Sequence, residues 1–119
     1  MFLPFEERRG DTYELQYCRE KKSEDKLFVS LQFWKEDSLY IDSDDVEIFD
    51  EFYYKYFEKC QSPDKSGNFS PYGPNYYDKV RMEEILEEVK KDAPPEGNAL
   101  IYWLSHKPID CEGFYFLGI

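Results

Sequence analysis

A chain of 119 residues has the length of one ordinary domain, enough to close a single hydrophobic core. Its 26 acidic and 15 basic residues leave a net charge of -11, which repels phosphate backbones and anionic bilayers and so argues against nucleic acid or a membrane surface as direct ligand. An aromatic share of 19% argues against disorder although 34% of the residues are charged, and the longest apolar runs, such as Ala99 to Leu104, fall far short of a bilayer span.

Met1 to Phe5 is too short for the apolar part of a signal peptide, and Glu6-Glu7-Arg8-Arg9 follows at once, so the expected location is the cytoplasm. Thr12 to Arg19 sets Tyr13, Leu15 and Tyr17 against Thr12, Glu14, Gln16 and Cys18, the period of two that marks a strand with one buried face. Lys26 to Trp34 alternates in the same way, with Leu27, Val29, Leu31 and Phe33 on one side. The polar stretch Glu20 to Asp25 supplies a turn, so a hairpin over 12–34 is expected. Ser38 to Ile41 offers a short third strand.

Asp44 followed by Glu47 fits a carboxylate capping box, and a helix over 44–60 follows. Val46, Phe49, Phe52, Tyr53, Tyr56, Phe57 and Cys60 recur at three- and four-residue steps as its apolar face, which leaves Glu47, Glu51, Tyr54 and Glu58 outside. From Gln61 to Tyr77 the turn formers Pro63, Gly67, Pro71, Gly73 and Pro74 predict one long loop, and Phe69, Tyr72, Tyr76 and Tyr77 predict that much of it packs down. A second helix runs over 78–92, with Met82, Ile85, Leu86 and Val89 inward and Glu87 placed to pair with Lys91. Strands are expected over 99–105 and 113–117, joined by a loop over 106–112. This order predicts one α+β domain, an antiparallel sheet of four to five strands with two helices packed on one side.

Little in the chain points to catalysis. His106 is the single histidine, so a Ser-His-Asp or Cys-His mechanism would have to use it, and no nucleophile motif stands near. Cys18, Cys60 and Cys111 are odd in number and widely spaced, which fits packed, reduced thiols better than disulfides or zinc. Asp42-Ser43-Asp44-Asp45 resembles the start of a calcium loop, but the central glycine is missing and Tyr53 stands where the closing glutamate belongs. No metal or cofactor is expected.

The densest signal is the run from Glu36 to Glu51, where Glu36, Asp37, Asp42, Asp44, Asp45, Glu47, Asp50 and Glu51 stand with no basic residue between them, just before Phe52-Tyr53-Tyr54. Carboxylates steer a cationic partner from a distance, and an aromatic desolvated in the contact slows its departure. The plain alternative is a solvated face that keeps the protein soluble. Size, charge, aromatic content and the acidic helix start resemble the small immunity proteins with which bacteria neutralise nuclease toxins. The resemblance implies an inhibitor that blocks a basic active site. The residues this chain would use are Asp42, Asp44, Asp45, Glu47, Glu51 and Tyr54, with Tyr54 as an exposed anchor among carboxylates. Two other readings share the composition: a small enzyme working through a carboxylate pair, and a nucleic-acid mimic that occupies a DNA-binding protein.

Overall fold

The structure, a computed structural model, describes residues 1–118. Five strands, β1 (Phe2–Leu3), β2 (Thr12–Cys18), β3 (Leu39–Asp42), β4 (Asn75–Asp78) and β5 (Gly113–Leu117), form one sheet in the order β1-β3-β2-β5-β4. All neighbouring pairs are antiparallel. Helices α1 (Val46–Phe52), α2 (Tyr54–Phe57), α3 (Lys79–Asp92) and α4 (Gly97–Ser105) cover one face. There Tyr13, Leu15 and Tyr17 of β2 and Phe114 and Phe116 of β5 meet Phe49, Phe57, Ile85, Val89, Leu100 and Leu104 in one buried cluster. The α+β architecture is the one expected from the sequence, and α3 buries the four residues that its spacing assigned inward. Its first turn is closed by the Asp78 carboxylate, which accepts from the Arg81 N–H at 2.8 Å.

Four parts of the chain depart from expectation. Residues 26–34 are not a strand: the partner of β2 on one side is β3, with Leu15 opposite Leu39, and on the other β5, so no ladder edge remains for them. They cross the second face of the sheet instead, with Ser30 and Trp34 at φ of 59° and 66°. Residues 99–105 belong to α4, because Leu100, Trp103 and Leu104 bury at helical spacing while Tyr102 stays exposed. Trp103 fixes this helix to the sheet, stacked on Tyr17 with ring centroids 4.1 Å apart, its indole N–H donating to the Asp37 carbonyl at 2.9 Å.

The helix expected over 44–60 is instead a 3-10 turn (Ser43–Asp45) followed by α1 and α2, interrupted at Tyr53. The Tyr53 ring is fully buried edge-on to Phe2, and its hydroxyl donates to the Pro95 carbonyl, so packing decides the backbone there over helical continuity. The capping carboxylate is Asp42, which accepts from the Asp44 N–H at 3.0 Å, and not Asp44 itself. The last expected loop residues form β4. Buried Asn75 holds its start, donating to the carbonyls of Ser70 and Phe116 and accepting from the Ser70 N–H. On α3, Glu87 lies near Lys90 rather than Lys91, and Arg81 pairs with Glu84 and Glu88.

The second face of the sheet is covered by the connection between β2 and β3. Leu27, with Phe28 and Leu31 half-buried, packs on Cys18, Tyr76, Tyr115 and Leu117. Glu14 points to this side, only 3% exposed. Its carboxylate accepts from the N–H groups of Trp34 (2.7 Å) and Lys35 (3.1 Å), the Ser38 hydroxyl (2.7 Å) and the Gln16 amide (3.1 Å). A buried charge is tolerable where its lone pairs are this fully occupied.

Candidate functional site

The acidic run divides. Glu36 and Asp37 lie before β3, where Asp37 pairs with Arg19. Asp42, Asp44, Asp45, Glu47, Asp50 and Glu51 gather at the opposite end of the sheet, where β3 runs out through the 3-10 turn into α1. Asp11 joins them, since its carbonyl accepts from the Ser43 N–H at 3.1 Å. Asp44, Glu47, Asp50 and Glu51 are exposed, whereas Asp42 and Asp45 are half-buried. Among the described residues no Lys or Arg makes a salt bridge with any of the six. Some acids elsewhere are answered, Asp92 by Lys55, Glu83 by Lys107 and Glu88 by Arg81, while others such as Glu24, Asp25 and Glu58 are also outside any salt bridge; what marks the six is their density in one short stretch. Unanswered carboxylates of one sign repel each other, and a cationic surface relieves that repulsion.

Tyr54 is half-buried rather than standing free, its ring edge-on to Phe69 with centroids 5.7 Å apart. The freely presented aromatic at this end is Tyr72, 81% exposed at the tip of the loop before β4. The path to the acidic helix is short: Phe69 packs on Phe49 of α1, and the phenol of Tyr13 feels both Asp50 and Tyr72. Burial first, then the charges of Asp50 and Tyr72, push that phenol above its ordinary value. The Tyr72 backbone is held tightly. A Cβ on Gly118 would lie 2.2 Å from the Pro71 carbonyl oxygen and 2.5 Å from the Tyr72 carbonyl carbon, so only glycine lets the two segments touch. The Gly73 N–H also donates to the Ser70 carbonyl at 3.0 Å. The sequence carries a signal for this presentation that aromatic content alone hides: Tyr72 stands between Pro71 and Gly73, and a side chain at the tip of such a turn has no element face to turn inward.

Comparison with known proteins adds no relative. No family model, curated protein or solved structure matches the chain. Its chemistry therefore has to be read from its own groups. His106 stacks on Tyr102 with centroids 3.8 Å apart, and its Nδ1 lies 2.8 Å from the Tyr102 carbonyl. The Cys111 thiol is buried against Met82 and donates to the Gly113 carbonyl, so neighbours in sequence face different surroundings. All three thiols are free; burial pushes Cys60 up to about 11 and raises Cys111 as well. Among the described residues two carboxyls are held below their usual range: Asp64, lowered by hydrogen bonds from Ser66 and Ser62, and Asp92, lowered by Tyr56 and Lys55. Both are exposed groups shifted by their own hydrogen bonds, and neither belongs to the six acidic residues of the patch.

Proposed function

We propose that this chain is an acidic protein-binding module, an immunity or inhibitor protein that places its carboxylate end in the basic active site of a nuclease-like toxin. The observation that carries the reading is an exposed Tyr72 at the same end as a patch of carboxylates with which, among the described residues, no Lys or Arg forms a salt bridge. In such a contact Asp44, Glu47, Asp50 and Glu51 steer a cationic partner, and Asp42 and Asp45 lie at the margin. Tyr72 supplies the desolvated anchor.

The test is inhibition and binding measured on a basic nuclease toxin encoded beside this chain's gene. Wild-type protein should suppress nuclease activity stoichiometrically. A variant with Asp44, Glu47, Asp50 and Glu51 changed to their amides should associate more slowly by at least about tenfold. Undiminished inhibition by that folded variant, or no inhibition by the wild type, removes the proposal.

A further inference from the structure

The basic residues are distributed as unevenly as the acidic ones. Beyond Gln16 the second face of the sheet opens into a cleft of about 880 Å³, lined by Arg19, Lys21, Lys22, Lys26 and Lys35, with Glu20 the one carboxylate in its wall. Arg19 is engaged by Asp37 and Asp110, but among the described residues Lys21, Lys22, Lys26 and Lys35 form no salt bridge. In a protein with 26 acidic residues, four lysines outside any salt bridge line one concavity against the single carboxylate of Glu20, so its lining is locally cationic; the Lys22 ammonium also donates to the Val29 carbonyl at 3.3 Å. The cleft walls are also fixed in place. The Tyr115 hydroxyl donates to the Leu27 carbonyl, the Gln16 amide donates to the Gln32 carbonyl, and Glu14 holds the backbone of Trp34 and Lys35. A rigid concavity loses less entropy on filling than a mobile one.

We propose that this cleft binds a small polyphosphate or multiply phosphorylated ester, its lysines acting as point charges on the phosphates. The volume lies within the ~300–1,000 Å³ typical of small-ligand sites, and the cleft is open enough on one side to admit a compact anion. The site is separate from the acidic end: from Thr12, opposite Asp42, to Gln16 in the cleft wall β2 runs about 13 Å. The test titrates inorganic tripolyphosphate, then a nucleoside triphosphate, into the full chain at about 0.15 M salt, followed by calorimetry and amide chemical shifts. Saturable binding with shifts confined to residues 16–35 and Tyr115 is expected. The triple variant Lys21→Gln, Lys26→Gln, Lys35→Gln should weaken it by at least about tenfold, with an unchanged thermal melt confirming the fold. A nucleoside triphosphate that binds tighter than tripolyphosphate assigns the ligand a base, and equal affinity assigns it phosphates alone; either supports the site. No saturation by either anion, shifts spread over Lys55, Lys59 and Lys65 as well, or a single-stranded oligonucleotide that binds where both anions fail overturns it. Amide variants of the acidic end leave this binding intact, so failure here and failure of toxin inhibition are separate results.

Discussion

Glu14 gives the sharpest test of how the second face is built. Replacing it by Leu keeps a buried side chain but removes the acceptor for four donors. The buried Ser38 hydroxyl loses its acceptor, at about 1–3 kcal/mol for an unpaired buried donor, whereas the Gln16 amide loses one of its two bonds and keeps the one to the Gln32 carbonyl. The N–H groups of Trp34 and Lys35 lie nearer the surface and regain water, so they add little. Glu14→Leu should therefore destabilise by about 2 kcal/mol, a sizeable part of the ~5–15 kcal/mol that holds a domain together. Glu14→Gln should cost about 1 kcal/mol, because one carbonyl oxygen remains and the Ser38 hydroxyl can rotate to accept from the new amide. Urea unfolding provides the stabilities, and hydrogen exchange at the amides of Trp34 and Lys35 provides the local readout. A loss below about 1 kcal/mol in Glu14→Leu, with exchange at those amides unchanged, would refute the idea that this carboxylate clasps the crossing segment.

Three further outcomes are expected. Leu100→Ala should cost about 2–5 kcal/mol while exposed Tyr102→Ala stays within about 0.5 kcal/mol; similar losses at both would mean the strand-like alternation is correct after all. Burial holds the Cys60 thiol at about 11 and the Tyr40 and Tyr53 phenols at about 12, above ordinary values of 9.0 and 10.0, so the protein keeps its proton where the unfolded chain has lost it. The stability from these groups is complete below about pH 9 and is lost as pH rises through the folded values, so urea midpoints flat from about pH 8 to pH 11 would count against it. With a toxin partner, Tyr72→Ala should raise the dissociation rate at a cost of about 2 kcal/mol, while added salt slows association; surface plasmon resonance showing wild-type dissociation would place the anchor elsewhere.

Much of the fold was legible because its signals are local. The period of two in 12–18, the β-favouring composition of 113–117 and the i, i+3, i+4 spacing of Met82, Ile85, Leu86 and Val89 indicate their elements, although β2 buries both faces rather than the one expected, because the connection to β3 covers the second. The misreadings share a physical cause. Ala99 to Leu104 is apolar nearly all round, and a short run of that kind fits a strand or a helix until something is found to cover it; Tyr17 and Phe114 do so here. Lys26 to Trp34 alternates well, yet a strand needs a free edge, and whether β2 has one depends on β5, almost a hundred positions away. The acidic patch could be read as charge density, since charges declare themselves in sequence. The half-burial of Tyr54 and the exposure of Tyr72 could not, because each depends on where Phe69 lands.

The strand order also dictates when the molecule can be finished. β1, β3 and β2 come from the first part of the chain, β4 and β5 from the last, and the two groups meet along the single seam between β2 and β5. Until residues 113–117 arrive, one edge of β2 is a row of unpaired peptide groups, and Tyr13, Leu15 and Tyr17 lack the neighbours that shield them. On a ribosome adding roughly 5–20 residues per second, that seam stays open for seconds after β2 has emerged. Closing it also requires the ends of a long intervening chain to meet, the step that slows folding in proteins of high contact order. The nascent chain is thus most open to chaperones and to wrong strand partners during that interval, and the seam is where folding of the sheet is completed.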